Sequence, residues 1–564
     1  MVVMPITDDQ LQALLLKNKI VDEKSFEAAK KYSASFGRAL DETLIEKDLV
    51  SDEKLGSLLA GFYGLPFVSL SKTSVPEDVF HIIPERVARS QKAIAFARAA
   101  DGIKIALADP SRSDILVQVA KKTGLKTLGY FATRRDIEAT LHSYQKDLQQ
   151  TLNNLLKEDI GRNPESVLDD PPVAELVDTV IDAASEENSS DIHIEPEETT
   201  SLIRFRLDGL LQDVARLPKY LHDRIITRIK VLSNLRTDEH LSAQDGKMRK
   251  KMEEENLDIR VSIIPIVEGE KSVMRLLSSR SRQYTLQGLG MNPPDLAKVE
   301  NAYTKSYGMI LSTGPTGSGK TTSIYSILKV LNTREKNITT IEDPVEYRIK
   351  GANQVQVNPK TNLTFAAGLR SILRQDPNII FVGEIRDNET AAIAVNAALT
   401  GHLVLSTLHT NDAATAIPRL TDMQVEPFLV ASTLSVVIAQ RLVRQICPTC
   451  RQEAVVEYEQ LIRDFPEEII KKHFKNQKSV PVFRGRGCKL CRLSGYLGRL
   501  GLFEVLEVTP QIRKLIFERR DSDIITKAAI EEGMQTILDD GLTKVIAGRT
   551  TLEEVRRVTK AEFL

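Results

Sequence analysis

The chain has 564 residues, 42% of them hydrophobic and 27% charged, and a formal net charge of −1. That length exceeds one hydrophobic core, so several domains are expected, and the near-zero charge supplies no global attraction to nucleic acid or to an anionic membrane. The most apolar stretch that reads as helical, residues 428–439, is short and interrupted by Ser432, Thr433 and Ser435, so no membrane span is predicted.

The N-terminal Met-Val-Val-Met-Pro-Ile-Thr-Asp-Asp lacks a basic region leading an apolar core, which predicts no signal peptide and a cytosolic protein. Residues 1–145 read as one module, helical over 1–65 and α/β over 66–145. Leu11, Leu14, Leu15, Leu40, Leu44, Ile45, Leu55, Leu58 and Leu59 fall at helical spacing. Asp8-Asp9 and Ser51-Asp52-Glu53 look like helix starts. Further on, Ile103-Lys104-Ile105-Ala106-Leu107-Ala108 reads as a strand ending at an Asp109-Pro110 turn. Residues 146–172 are rich in Gln, Asn, Asp and Glu and end at Pro171-Pro172, the composition of a flexible linker.

Residues 173–283 read as a mixed α/β domain. A helix from Val173 leads to the alternating strand Ser190-Asp191-Ile192-His193-Ile194-Glu195-Pro196, and Asp208-Gly209 marks a hairpin turn. After a helix near 219–233, two more strands carry Arg260 and Arg275. Surface arginines on strands are usually solvated. These precede a phosphate-binding loop, and a guanidinium that reached a γ-phosphate would stabilise charge in the transition state.

That loop follows the apolar run Met309-Ile310-Leu311. Gly314, Pro315, Thr316, Gly317, Ser318, Gly319, Lys320 and Thr321 complete G-x-x-x-x-G-K-[ST], with Thr322 next and a helical pattern behind it. Glycines let backbone N–H groups curl round a triphosphate at a helix N-terminus. Lys320 can reach the β- and γ-phosphates, and the Thr321 hydroxyl can take a Mg²⁺ position. A chance glycine turn is the bland alternative, and the flanking strand and helix weigh against it.

Three strand ends follow. Thr339-Thr340-Ile341 empties into Glu342-Asp343-Pro344-Val345-Glu346, with Glu342 the first choice for polarising a water and Glu346 the alternative. Ile379-Ile380-Phe381-Val382 ends in Gly383-Glu384, a Walker B strand whose Glu384 can hold Mg²⁺ directly or through water. The strand 403–408 has His402 at its start and His409 at its exit, where His409 could sense the γ-phosphate. Taken singly, each is an ordinary turn acid or packing histidine. Their order and their strand-end placement argue otherwise.

The chain has four cysteines, and all fall in two C-x-x-C pairs, Cys447/Cys450 and Cys488/Cys491. Two thiolate pairs at this spacing can close a tetrahedral S₄ site on structural Zn²⁺, stapling a lobe over 445–495. Disulfides do not suit a reducing compartment, and a thioredoxin-type pair lacks its βαβ context.

Gly-Pro-Thr-Gly-Ser-Gly-Lys-Thr, Ile-Glu-Asp-Pro-Val-Glu, Val-Gly-Glu-Ile-Arg-Asp and Gly-His-Leu-Val-Leu-Ser-Thr-Leu-His-Thr-Asn resemble the Walker A, Asp box, Walker B and His box of the secretion ATPases, which serve type II secretion and type IV pili. Residues 190–196, Gln244-Asp245-Gly246, Arg260 and Arg275 resemble that family's second N-terminal domain, and residues 1–145 its first. The cysteine lobe and the Gly495-Tyr496-Leu497-Gly498-Arg499 and Phe503-Glu504 segments also fit. The resemblance implies an α/β chain with a RecA-like motor over 284–564, a parallel-type sheet, a helical tail, and a PAS-like mixed α/β domain before it. It further implies a homohexameric ring, with ATP and Mg²⁺ bound between the second N-terminal domain and the motor.

Hydrolysis would turn an inner-membrane platform protein. A cytoplasmic adaptor associated with that membrane is a further candidate partner, and the membrane is reached only through partners, at its cytoplasmic face. The long N-terminal module and the cysteine lobe favour fibre assembly over retraction, and pilus assembly over the alternative of type II secretion. A nucleic-acid translocase is more remote, since no basic, aromatic-rich segment is present. Some relatives bind cyclic di-GMP through R-L-G-x-x-[LVI] repeats. Here Ala39 stands for the arginine, and Asp41 and Asp48 stand for glycines, so weak or no binding is expected.

Overall fold

The structure is a computed structural model. It describes residues 6–559 except 19, 37–39, 47–48, 74, 100, 113, 142–147, 163–171, 253–255, 278–284, 475–477 and 489. The chain divides into two compact units. One comprises Met1–Asp147, Gln445–Gly498 and Val545–Thr551; the other comprises Leu148–Arg444, Arg499–Lys544 and Leu552–Leu564. The cysteine lobe, which the sequence places inside the motor domain, therefore groups with the N-terminal module.

In the first unit, helices Asp8–Lys17, Glu23–Phe36, Leu40–Glu46 and Asp52–Tyr63 bury Leu11, Leu15, Phe26, Leu44, Leu55 and Leu59 against one another. Thr7 and Gln10 form a capping box that starts the first helix, and Ser51 caps the fourth. A small sheet follows. β1 (Ala93–Ala99) pairs antiparallel with β2 (Gly102–Leu107), and β2 pairs parallel with β3 (Thr127–Phe131) across the helix Asp114–Thr123.

The second unit opens with a departure from the sequence reading. Part of the expected flexible linker is a helix, Leu148–Arg162, with Leu148 and Leu152 buried in the core of the following domain and Leu155 and Leu156 packed on it. Leucines at i, i+4 and i+7 form an apolar stripe that the polar average of the segment hides. The end of that linker, residues 163–171, lies outside the described residues.

The domain behind this helix is a sheet of β4 (Asp191–Pro196), β5 (Thr200–Leu207), β6 (Leu210–Pro218), β7 (Gln244–Lys251), β8 (Asn256–Ile266) and β9 (Gly269–Leu277), in the order β6-β5-β4-β9-β8-β7. The strand pairs described are antiparallel. Ile192, Ile194, Ile203, Phe205, Ile259, Val261 and Met274 share one buried cluster with helices Val173–Glu186 and His222–Leu232. Strand alternation then sends Arg260 and Arg275, which are cross-strand partners, to the opposite face side by side.

The motor contains β10 (Gly308–Thr313), β11 (Ile338–Glu342), β12 (Ala352–Gln356), β13 (Ile379–Val382), β14 (Leu403–Leu408) and β15 (Leu434–Ile446). The lobe hairpin β16 (Arg451–Glu457) and β17 (Ser479–Gly485) comes next, and β18 (Tyr496–Glu507) returns to the sheet. The sheet order is β12-β11-β13-β14-β10-β15-β18, and the pairs from β12 to β15 are parallel. Strands buried on both faces, such as Ile379-Ile380-Phe381-Val382, explain the continuous apolar runs. Residues 428–439 are not one helix. Helix Pro427–Thr433 gives way to β15, whose Val436-Val437-Ile438 run favours extended backbone. Helices Pro510–Phe517, Ser522–Glu531, Ile537–Ile546 and Leu552–Thr559 form the tail.

Candidate nucleotide site

Parallel strands align their carboxyl ends on one edge of the motor sheet, and the sequence-predicted groups gather there. β10 ends at Thr313, and the loop turns at Gly314 with φ 143°. A Cβ on Gly314 would lie 2.5 Å from the Gln440 carbonyl oxygen, so only glycine fits. Gly319, at φ 90°, delivers the chain into helix Lys320–Leu331, whose N-terminal N–H groups and dipole suit a phosphate. Lys320 Nζ donates to the carbonyls of Gly314 at 2.8 Å and Pro315 at 3.1 Å. Burial pulls its pKa down to about 8, the nearby Glu384 opposing the shift and Arg441 adding to it. Gln440 on β15 braces the loop from beneath, its Oε1 accepting from Ser323 at 2.7 Å. Sequence reading passed over Gln440, whose position one residue beyond the Thr313–Ala439 pair is fixed only by strand register.

Glu384 closes β13 and is nearly buried. Its two oxygens face Arg386 at 2.5 Å and His409 Nε2 at 3.2 Å. Arg386 stands in the Val-Gly-Glu-Ile-Arg-Asp run already singled out, but its role was not read there. His402 is at the other end of β14. Its carbonyl accepts from Gly308, which begins β10, and its ring Nδ1 pairs with Ala397 O at 2.9 Å. The structure places His402 at the close of the helix Asn388–Leu399, a strand's length from the phosphate loop, and does not bring it to the edge where Lys320 and Glu384 lie.

Glu342 lies deep in the edge of the sheet. Its side chain is 2% exposed and accepts three hydrogen bonds. Tyr325 of the loop helix donates to Oε2, while Thr340 at 2.6 Å and Gln354 at 3.2 Å donate to Oε1. Burial raises its pKa against these hydrogen bonds. Gln354 also donates to Tyr347 O at 3.1 Å, and Tyr347 packs edge-on against Tyr325 with centroids 4.6 Å apart. Glu342 thus anchors the Asp-box turn to the loop helix, with Oε1 accepting two of these hydrogen bonds and Oε2 one.

Glu346 differs. It is 38% exposed, and Arg260 reaches it across the domain boundary at 3.3 Å while also donating to Val345 O at 2.7 Å. Arg275 is 60% exposed and paired through Nε with Asp191 at 3.0 Å. Arg260 and Arg275 line a cavity of about 370 Å³ together with Asp191, Asp245 and Lys247.

Among the described residues, the Thr321 hydroxyl makes no hydrogen bond and Glu384 is the carboxylate beyond the end of β13, with β14 between β13 and β10, so hydroxyl and carboxylate fit a hard, oxygen-seeking Mg²⁺. The cysteine lobe fits zinc on firmer geometry. The four sulfurs lie within 4.8 Å of one another, with Cys447–Cys488 and Cys450–Cys491 at 3.8 Å and Cys488–Cys491 at 3.7 Å. A tetrahedron built on zinc–sulfur bonds of about 2.3 Å has edges of about 3.8 Å. These separations are far too long for disulfides. Burial pushes the Cys447 thiol up. Burial would also raise Cys491, but the N–H groups of Cys488 and Gly495, at 3.1 and 3.2 Å, outweigh it and hold that thiol below its usual value.

A phosphate loop at the end of β10, an acidic end on β13 with β14 between them, and arginines from a preceding domain define a RecA-like P-loop ATPase. The model of the type II/IV secretion system protein family matches residues 166–557, and that of the MshEN domain matches residues 63–151. The chain belongs to the type II/IV secretion ATPase family. It is 36% identical over 563 residues to the type IV pilus assembly ATPase PilB of Myxococcus xanthus, covering 97% of this chain and 98% of that one. With the type II secretion system ATPase E of Vibrio cholerae it shares 45% identity over 394 residues, covering 70% of this chain and 76% of the relative. The fold is similar to that of the Legionella pneumophila ATPase DotB, at TM-score 0.51 and 22% identity over 69% of this chain and 96% of that one.

Proposed function

We propose that this chain is the ATPase that drives type IV pilus assembly, acting as a ring of six copies on an inner-membrane platform protein at the cytoplasmic face, with a cytoplasmic adaptor as a further partner. The observation that carries this reading is coverage. Similarity to the pilus-assembly ATPase runs through the N-terminal module, over 97% of the chain, whereas the type II secretion relative aligns over 70%. The higher identity of that shorter alignment favours type II secretion as the second reading.

In the proposed chemistry, the loop N–H groups and Lys320 bind the triphosphate, Lys320 exchanging its carbonyl partners for phosphate oxygens. Glu346, 38% exposed where Glu342 is 2% exposed, polarises the attacking water. Thr321 and Glu384 hold Mg²⁺, which when bound neutralises phosphate charge. Arg386 and His409 fix the orientation of Glu384. Arg260 and Arg275 stabilise charge on the transferring phosphoryl group. The four cysteines hold a structural zinc.

Residues 1–145 are proposed not to take up cyclic di-GMP, because Asp41 adds a carboxylate where close approach of an anion is needed; Ala39 and Asp48, the other two departures, lie outside the described residues. Micromolar binding in calorimetry would overturn this.

Deletion of the gene in its host, complemented with the natural chain or with Lys320→Ala, tests the main reading. Surface fibres are expected to vanish in the deletion and in the Lys320→Ala strain while exoprotein release continues. Loss of release with fibres intact transfers the chain to type II secretion.

A further inference from the structure

Glu504 lies on β18, and its side chain is 5% exposed. Its two oxygens are divided between two backbone segments. Oε1 accepts from the N–H of Ala413 at 2.9 Å, and Oε2 from the N–H of Ile537 at 3.3 Å. Ala413 ends the short segment that begins at His409, the residue against Glu384. Ile537 opens the helix Ile537–Ile546. The attachment is reinforced on both sides. Thr313, the last residue before the phosphate loop, donates to Thr410 O at 3.1 Å and accepts from Thr410 N at 3.0 Å, and Arg441 donates to Asn411 O at 2.9 Å. On the helix side, Phe503 N donates to Asp540 Oδ2 at 2.8 Å, and Lys544 pairs with the same carboxylate while donating to Gly501 O at 2.8 Å.

Hydrogen bonds alone do not require a charged group here, since burying a carboxylate is costly. A carboxyl group is nonetheless the one side chain of this length that can accept through both of its oxygens, which is what two converging N–H groups demand. Glutamine would satisfy one and oppose its amide hydrogens to the other.

We infer that Glu504 is a positioning residue for the ATP hydrolysis proposed above: its buried carboxylate clamps the segment behind His409 to the first turn of helix Ile537–Ile546, so that the catalytic edge and the C-terminal helices shift as one. This rests on the ATPase reading, and Lys320→Ala separates the two. Because Gln keeps its oxygen for the shorter Ala413 bond, Glu504→Gln releases the helix and Glu504→Ala releases both.

The experiment measures kcat, KM and peptide hydrogen exchange for the full chain and for Lys320→Ala, Glu504→Gln and Glu504→Ala. Glu504→Ala is expected to lower kcat by about tenfold with KM within about threefold of the natural chain, and Glu504→Gln by about threefold. Exchange should quicken in residues 409–413 in Glu504→Ala, in 537–546 in both variants, and not in 314–322. If Glu504→Ala does not fold, Glu504→Gln decides by the same readouts. Unchanged kcat in Glu504→Gln with Lys320→Ala inactive overturns the inference, and so does exchange that quickens equally in 314–322, which marks a merely structural role. Unchanged turnover in Lys320→Ala overturns the ATPase reading instead.

Discussion

Replacing the two Asp-box glutamates by glutamine tests the proposed division between anchor and catalyst. In Glu346→Gln the shape remains, the partially exposed position tolerates an amide, and the charge that would polarise water is gone. A loss of about 10²–10⁴-fold in kcat is expected, equivalent to about 3–5 kcal/mol of transition-state stabilisation. ATP affinity should hold, because Lys320 and the loop N–H groups are untouched. Glu342→Gln does the reverse. Removing that side chain outright would strand two donors, Tyr325 and Thr340, in sites 2% and 0% exposed, at about 1–3 kcal/mol each. Glutamine keeps one oxygen for Thr340 and Gln354, and the Tyr325 hydroxyl can rotate to accept from the new amide. About 1 kcal/mol of stability should be lost, lowering the unfolding midpoint by about 2–4 °C, with kcat within about threefold. Steady-state ATP turnover and thermal unfolding on the same preparations measure both quantities. An inactive Glu342→Gln beside an active Glu346→Gln would refute the reasoning and return Glu342 to the base.

Arg260→Ala should lower kcat on the order of 10²-fold or more, with nucleotide affinity changed little, as read by turnover and by binding of a fluorescent ATP analogue. Zinc analysis of purified protein should give about one ion per chain, and Cys488→Ser should both abolish it and lower the unfolding midpoint; protein free of zinc with four reactive thiols would contradict the geometry. The third prediction concerns pH. Burial, reinforced by Asp412, pushes the Glu504 carboxyl from 4.5 up to about 7, its backbone N–H partners and Arg441 opposing the shift. The folded value lies above the unfolded one, so its contribution to stability is fully present below about pH 4.5 and is lost as pH rises through about 7. The stability of the natural chain relative to Glu504→Gln should fall by about 3 kcal/mol across that window. Denaturant titrations at several pH values check it, and a constant difference would refute it.

The motor was legible because its chemistry is local. A loop that must curl round phosphates needs glycines at set spacings, and acidic strand ends announce themselves after apolar runs. Two cysteine pairs are legible for the same reason. Burial and register are less local. Glu342 and Glu346 are four residues apart in one acidic turn, and only the approach of Tyr325 and Gln354 tells the buried carboxylate from the accessible one. Gln440 and Glu504 lie on strands whose neighbours come from distant parts of the chain, so no short window reveals what their side chains meet. The helix Leu148–Arg162 was hidden by its composition: a few leucines on one face suffice when a neighbouring domain supplies the rest of the core.

The contact between Arg260 and Glu346 has a consequence for timing. In this arrangement the guanidinium that would steady the departing phosphoryl group is bound to the carboxylate that would activate the water. Under the roles proposed above, each would hold the other out of the reaction and the contact would act as a latch. On that reading a nucleotide-loaded copy would turn over only once a movement of the arginine-bearing domain parted the two, which would tie the moment of hydrolysis to motion rather than to nucleotide concentration.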